Sequence, residues 1–508
     1  MSRLNRRRFL AGATLLLGAA PILAATGCGA PPAPTAAPKA APTTAPAAAA
    51  PTAAPKPTEA PKPTEAPKAA APTAAPAAKP TEAPKPTEAP KPTAAAAPAA
   101  GNFKGVSFNV LQGTYFIAPG QDLYKKQAAT WGQQTGATVS CDFLNWPDLQ
   151  PKIAAAVQAG GIDVVELWPG WQWLYQDQLV DMTAEANEVA QRGGGWEDYV
   201  LNSSPVNGKF LGIPHGTSNA SIAYRISWFK EVGVEGKSPA EQAKEGKWLD
   251  LTWDEYHEIG KKLKAKGHPF GQALGHSTGD PPGFCYPYMW AHGAMELDKD
   301  GKTILFNKPE FVDAMKKFVS YWKDAYDVTG LSWDDSNNNR AYLSGQISAT
   351  YNGSSIYFAA KKDQPQIAED TMHMLIPKGP AGRFYWLGTR HFAILKKSKA
   401  IDAARAFLTW WFGDEPYGEW FRLQEGYFLQ HTKKWAKDPM WEKDPKMAPF
   451  REQPKYGRDL GYAGPPNDKA SLAWSKYIVV DTFAKAVQSG DAAAAVKWGA
   501  DELAKIYR

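Results

Sequence analysis

The chain has 508 residues, with 57 Lys and Arg against 51 Asp and Glu and a formal net charge of +6. Residues 1–100 carry a net of +7 and no tryptophan, whereas residues 101–508 carry a net of −1 and all 20 tryptophans. The basic excess therefore belongs to a tail, which excludes a nucleic-acid role argued from bulk charge, and the remaining body is too large for one simple core, so two domains are expected.

Arg3, Arg6, Arg7 and Arg8 precede an apolar stretch over residues 10–25, interrupted by Gly12, Gly18 and Pro21 and short for a membrane span. That is the form of an export signal. Asn5-Arg6-Arg7-Arg8-Phe9-Leu10 resembles the twin-arginine export motif, with Asn5 where Ser or Thr is usual, so Sec export stays open. Ala25-Thr26-Gly27-Cys28 resembles a lipobox, which implies a signal peptide over residues 1–28, lipidation of Cys28 and anchoring at the outer face of the cytoplasmic membrane. Residues 29–100 form an Ala/Pro/Thr linker in which Lys-Pro-Thr-Glu-Ala-Pro recurs from Lys56, Lys62, Lys79 and Lys85. No apolar face exists there at any period, so disorder is expected. Fully extended, such a tail would reach roughly 200 Å at about 3.1 Å per residue. Beyond Cys28 only Cys141 and Cys285 remain, read as small buried apolar side chains rather than as a disulfide.

The body opens as β-α-β-α-β. Val106, Phe108 and Val110 alternate as a strand, Tyr124, Ala128 and Trp131 follow at helical spacing, and Val139, Cys141 and Phe143 alternate again. Pro151 is expected to open an alanine-rich helix running to Ala159, and residues 162–168 read as a mostly apolar strand. Such alternation implies a parallel sheet wrapped by helices. Asn207-Gly208 marks a tight turn into residues 210–214, and residues 220–225 read as a strand. Thr252-Trp253-Asp254-Glu255 is a capping box, Asp300-Gly301 joins a hairpin, and Pro309 starts a helix whose buried side is Phe311, Ala314, Phe318 and Trp322. Further helices are expected over residues 401–412, 470–488 and 491–507.

Several stretches in order resemble the extracellular solute-binding proteins of ABC importers, in the carbohydrate-binding group. They are Gly161-Ile162-Asp163-Val164-Val165 with Trp168, Leu179-Val180-Asp181-Met182, and Asn207-Gly208-Lys209 through Gly212-Ile213-Pro214 to Tyr224. Trp228-Phe229-Lys230-Glu231-Val232-Gly233, Leu251 to Glu255, Leu343 to Ala349 with Asn352-Gly353, and Ile376-Pro377-Lys378-Gly379-Pro380 complete the series. The resemblance implies an α/β fold, a two-lobe clamshell of the periplasmic-binding-protein type II. Lobe 1 would hold about 101–215 and 380–425, and lobe 2 about 216–379 and 426–508. It also implies a monomeric receptor that captures a carbohydrate and delivers it to an ABC permease, with no cofactor and no nucleic-acid partner.

Three short motifs point elsewhere. Gly275-His276-Ser277-Thr278-Gly279 matches a nucleophile elbow, which needs a strand before the serine and a helix after it; Asp280-Pro281-Pro282-Gly283 argues against that helix. Gly233-Val234-Glu235-Gly236-Lys237-Ser238 is too short for a phosphate loop, and Asp298-Lys299-Asp300-Gly301 lacks the far acidic ligand of a calcium loop. The eight histidines show no paired metal spacing. Alternatives left open are the same fold binding a polyamine, peptide or metal chelate, and an anchored extracellular hydrolase.

A sugar offers an apolar C–H face and a rim of hydroxyls, so its site needs aromatic plates beside hydrogen-bonding groups. Trp168-Pro169-Gly170-Trp171-Gln172-Trp173 stands at the C-terminal end of an expected parallel strand, where open α/β sheets place ligands. Trp168 and Trp171 are the leading candidates, and Trp168 also matches a sugar-stacking position of the resembled family. Gln112 and Tyr115 follow the first strand, and His215, Ser218 and Asn219 lie in the crossing segment. Asp280, Trp290 and His292 fall in an expected proline-broken loop, Asn352 in the Asn-Gly pair, and Trp386 and Arg390 after the return crossing.

Overall fold

A computed structural model describes residues 101–508. The export signal, the lipidation at Cys28 and the linker lie outside the described residues. Strands β1 (Ser107–Gly113), β2 (Thr138–Leu144) and β3 (Val164–Leu167) pair in parallel with β1 in the middle. The helices Pro119–Thr135 and Trp146–Ala159 make the crossovers. Strand β4 (Ile213–Gly216) closes this stretch, and only the residues 217–220 separate it from β5 (Ser221–Arg225), which belongs to a second sheet. The hairpin β6 (Met295–Leu297) and β7 (Ile304–Leu305) follows, and then β8 (Ala349–Asn352) and β9 (Thr371–Met374) flank β5 antiparallel. The chain returns through β10 (Tyr385–Trp386) to β11 (Arg390–Ile394), which enters the first sheet antiparallel between β3 and β4. A late strand, β12 (Gly457–Arg458), pairs with β10. The result is two lobes, one on the sheet β2-β1-β3-β11-β4 and the other on β8-β5-β9.

Local chemistry explains most of these elements. All four residues of β3 are buried, as expected for a strand covered on both faces. Asn207 and Gly208 both have positive φ, and Val206 and Lys209 pair across them, a turn that Asn-Gly adopts at low cost. Thr252 and Glu255 form the reciprocal capping box on the helix Trp253–Ala265. Phe311, Ala314, Phe318 and Trp322 are buried on the helix Pro309–Ala325, and the Phe318 ring packs on Trp322 and Tyr326 in the second lobe's core.

Four expectations need correction. Pro151 lies inside the helix Trp146–Ala159 rather than at its start; Pro147 occupies the first turn, where a missing N–H leaves nothing unsatisfied. Residues 280–292 are not a loop but the helix Asp280–Ala291, with all twelve residues buried. Pro281 and Pro282 sit in its first turn, and the Asp335 carboxylate accepts the Gly279 and Asp280 N–H groups at 3.0 and 2.8 Å, a cap from another segment. The expected helix over 470–488 is two, Asp468–Ser475 and Ile478–Ser489, parted at Tyr477, whose φ is 56°. Cys141 is only partly buried, while Cys285 is fully so, and both are free thiols.

Candidate functional site

The C-terminal ends of β1, β2 and β3 carry three aromatic positions to one edge of the first sheet. They are Phe116, Trp146 and Trp168, and Arg390 joins them from the start of β11. Opposite stand Gly279, Asp280, Asp335, Tyr351, Asn352 and Ser355 of the second lobe, with the crossing residues Thr217 to Ala220 and Tyr427 between. Together they enclose a cleft of about 780 Å³, open mouth included.

Arg390 organises the first wall. It is 3% exposed, and its guanidinium carbon lies 4.3 Å from the Trp146 ring and 4.6 Å from that of Trp168, whose own centroids are 4.7 Å apart. A guanidinium against two indoles is a favourable cation–π arrangement. Its charge is balanced by Glu166 of β3, fully buried, whose Oε1 is 3.6 Å from Arg390 Nη1 and 2.9 Å from His215 Nε2. Glu166 Oε2 accepts the Gly113 N–H and the Tyr115 hydroxyl, each at 3.1 Å. Burial holds His215 below the usual imidazole range, with Arg390 pushing the same way and Glu166 opposing. Register shifts between Arg390 and His391 in the pairing with β4. Such a bulge re-aims a side chain, and Arg390 lines the cleft while His391 is buried. Gly113 is required where it is, because a Cβ there would lie 2.2 Å from the Trp146 ring.

The second wall is acidic. Asp280 Oδ2 accepts Nδ2–H groups of Asn338 and Asn352, each at 2.8 Å. Burial and the neighbouring Asp335 push the Asp280 carboxyl well above the usual range, and burial also raises Asp335. Asn219, in the crossing segment, is held on both sides: its Oδ1 accepts the Ser354 N–H at 2.9 Å and its Nδ2 donates to the Gly426 carbonyl. Trp386, also in the lining, donates its indole N–H to Asp459 at 3.3 Å.

Of the residues singled out from sequence, Trp168, Asn219, Asp280, Asn352 and Arg390 line this cleft, with Ser218 and Trp386. Gln112, Tyr115 and His215 are buried in the hydrogen-bonded layer around Glu166. Trp171 is 2% exposed on the short helix Trp171–Leu174, its ring 6.5 Å from that of Trp146. Trp290 packs in the second lobe's interior against Tyr286 and Tyr462, and His292 caps the end of the same helix with its ring tilted against Tyr288. Both follow from the helix that replaces the expected loop. Phe116, Trp146, Asp335 and Tyr427 were not anticipated. Trp146 had a usable signal, since a Trp-Pro pair follows β2 as one follows β3; Asp335 and Tyr427 had none.

A helix does follow Ser277, contrary to the argument from its prolines. No strand precedes the serine, its hydroxyl accepts the Asp335 N–H at 3.2 Å, and His276 pairs instead with Asp481 at 2.7 Å. Among the described residues no group of three or more His, Cys, Asp or Glu is placed to hold a metal, and no helix is long and apolar enough to cross a membrane.

Residues 126–449 match the family model of the bacterial extracellular solute-binding protein. Among solved structures, a solute-binding protein of an ABC transporter from Agrobacterium radiobacter, in complex with ribitol, is similar at 19% identity with a TM-score of 0.64, covering 80% of this chain and 100% of its own. Maltose-bound MalE3 of T. maritima is similar at 20% identity and a TM-score of 0.65, covering 78% of this chain and 99% of its own. A sugar transporter from Arthrobacter chlorophenolicus with bound laminaribiose gives 16% identity and 0.64, over 78% and 99%. A search of curated proteins finds no match.

Proposed function

The chain belongs to the bacterial extracellular solute-binding proteins, and from that premise we propose that it captures a carbohydrate outside the cell and delivers it to the permease of an ABC importer. The observation that carries this reading is the cleft itself: the indoles of Trp146, Trp168 and Trp386 line it together with the polar groups of Asp280, Asp335 and Asn352. A sugar ring has the same division between C–H faces and hydroxyl rim. The similar proteins with bound ribitol, maltose and laminaribiose support it.

Closure follows if the ligand touches both walls, because it then binds the closed arrangement better than the open one. The lobes of this reading are about 101–215 with 380–425, and about 216–379 with 426–508. The protein acts as a monomeric binding protein without catalytic turnover. Cys28 carries the lipid anchor, and the linker holds the body away from the membrane.

A thermal-shift screen of the purified chain against mono- and oligosaccharides tests this. A ligand at 100 times its dissociation constant stabilises by about 2.7 kcal/mol. Trp168→Ala should abolish the shift while leaving the ligand-free transition cooperative. Stabilisation by a peptide or polyamine and by no sugar overturns the assignment.

A further inference from the structure

The three indoles that line the cleft are held in different ways. Trp146 donates its N–H to the Thr114 carbonyl at 3.1 Å. Trp168 has a buried N–H with no acceptor among the described residues, and packs against Trp146 and the Arg390 guanidinium. Trp386 reaches a carboxyl group: its N–H donates to Asp459 Oδ1 at 3.3 Å. Its ring also meets Trp474 and Trp168 at 5.6 and 6.4 Å, tilted by 40° and 49°. Ring contacts do not distinguish one edge of an indole from the other, whereas a hydrogen bond to its single donor does. The acceptor comes from a distant part of the chain. Strand β12 pairs in parallel with β10, Trp386 opposite Arg458, and the Leu387 N–H donates to the Arg458 carbonyl at 2.8 Å. That register sets Asp459 beside residues 386–388, all of them in the cleft lining. The fit is close, since a Cβ at Gly388 would stand 2.8 Å from Asp459 Oδ1 and 2.4 Å from Pro169 Cβ. Asp459 is only 7% exposed. A carboxyl group kept out of water costs stability that an apolar side chain of its size would not, and its partner here is a cleft-lining indole.

Resting on the carbohydrate reading, we propose that Asp459 is a positioning residue for the cleft: it holds Trp386 by its N–H edge, so that the indole a sugar would meet is already oriented in the ligand-free chain. Such preorganisation spares the ligand the cost of ordering the side chain. Asp459 lies behind the lining and acts only through Trp386. Burial pushes its carboxyl up to about 7, against the pull of the Leu460 N–H and the Trp386 indole. The ionised form is the stronger acceptor, so the hydrogen bond tightens as pH rises through that value. The titratable and charged groups around Asp459 come from four segments. Glu296 of β6 accepts the Gly461 N–H at 2.7 Å, and Arg458 of β12 lies over the Phe384 and Tyr462 rings. Tyr385 of β10 shares its hydroxyl with Ser221, and Tyr199 of the helix Asp198–Ser203 donates to the Gln430 carbonyl.

Indole N–H spectra of the purified, nitrogen-15-labelled chain without ligand test the hydrogen bond. The Trp386 peak is the one lost in Trp386→Phe. It should move downfield as pH is raised from 5.5 to 8.5, and in Asp459→Leu it should stand upfield and stop moving. A Trp386 peak that does not titrate in the native chain, or that Asp459→Leu leaves in place, overturns the proposal. Isothermal titration with maltose, cellobiose and laminaribiose, or with the saccharide giving the largest thermal shift if none of these binds, tests the consequence. Asp459→Leu should weaken binding about tenfold. Asp459→Asn, which keeps a carbonyl acceptor, should recover most of that loss. In a Trp386→Ala chain, Asp459→Leu should cost nothing further, whereas a merely structural carboxyl would weaken both backgrounds alike. Native affinity in Asp459→Leu, no recovery in Asp459→Asn, or full additivity with Trp386→Ala overturns the positioning role and leaves the carbohydrate reading standing. A native chain that binds no saccharide overturns both.

Discussion

Replacing Arg390 with Met isolates the contribution of the buried pair behind the indole wall. The methionine keeps most of the stem between Trp146 and Trp168 and removes the charge 3.6 Å from Glu166. At an effective dielectric constant near 20, two unit charges at that separation attract by about 4–5 kcal/mol. Truncating one partner of a buried pair costs about 3–5 kcal/mol, since the other is left uncompensated. Glu166 retains the Gly113 N–H, the Tyr115 hydroxyl and His215 at 2.9 Å, so the low end, about 3 kcal/mol, is expected at pH 8. Acid should shrink this cost. In the native chain His215 is held below its ordinary value, so the stability its neutral form provides is lost as pH falls through the unfolded value of about 6.5. Without Arg390 one depressing influence is gone and Glu166 still attracts the proton, so the His215 value rises. A value depressed less than in the native chain means that less stability is lost on acidification. Both changes narrow the gap between variant and native chain on acidification. Urea unfolding at pH 8 and pH 5.5 measures the gap. The double variant Glu166→Gln/Arg390→Met should cost less than Arg390→Met alone, because no charge is left buried. A single-variant cost under about 1 kcal/mol at pH 8, a gap that does not narrow, or full additivity in the double variant refutes this reasoning.

Gly113→Ala places a methyl 2.2 Å from the Trp146 ring; it should cost about 1–3 kcal/mol in urea unfolding and weaken ligand binding by displacing that indole, and a neutral substitution contradicts the packing. Burial pushes Asp459 and Glu296 up to about 7, so each carboxyl stays protonated in the fold where the unfolded chain ionises. Their stabilisation is full below about pH 4 and lost as pH rises toward 7, and Asp459→Asn should flatten the decline in unfolding free energy between pH 4.5 and 7.5; an unchanged slope contradicts the assignment.

Elements with local causes are legible in the sequence. The Asn207-Gly208 turn, the Thr252 to Glu255 capping box and the helix begun by Pro309 each depend on residues within a few positions of one another. The helix Asp280–Ala291 was not, because the carboxylate that caps it comes from Asp335, more than 50 positions downstream. Trp168 could be placed by the strand-end rule alone, whereas its role depends on Arg390, which arrives from the far side of the second lobe. Glu166 was read only as part of an apolar strand. Its carboxylate acquires meaning from Tyr115, His215 and Arg390, three segments that sequence spacing does not bring together.

The position of β11 has a consequence for how the chain is made. It sits between β3 and β4, yet it leaves the ribosome more than 220 residues after β3. At about 5–20 residues per second, that delay is roughly 10–45 s. Throughout it β4 has no strand to pair with, β3 has an open edge, and Glu166 lacks its guanidinium. The first sheet is thus the earlier one begun and the later one completed, whereas β5, β8 and β9 are all available before β11 emerges.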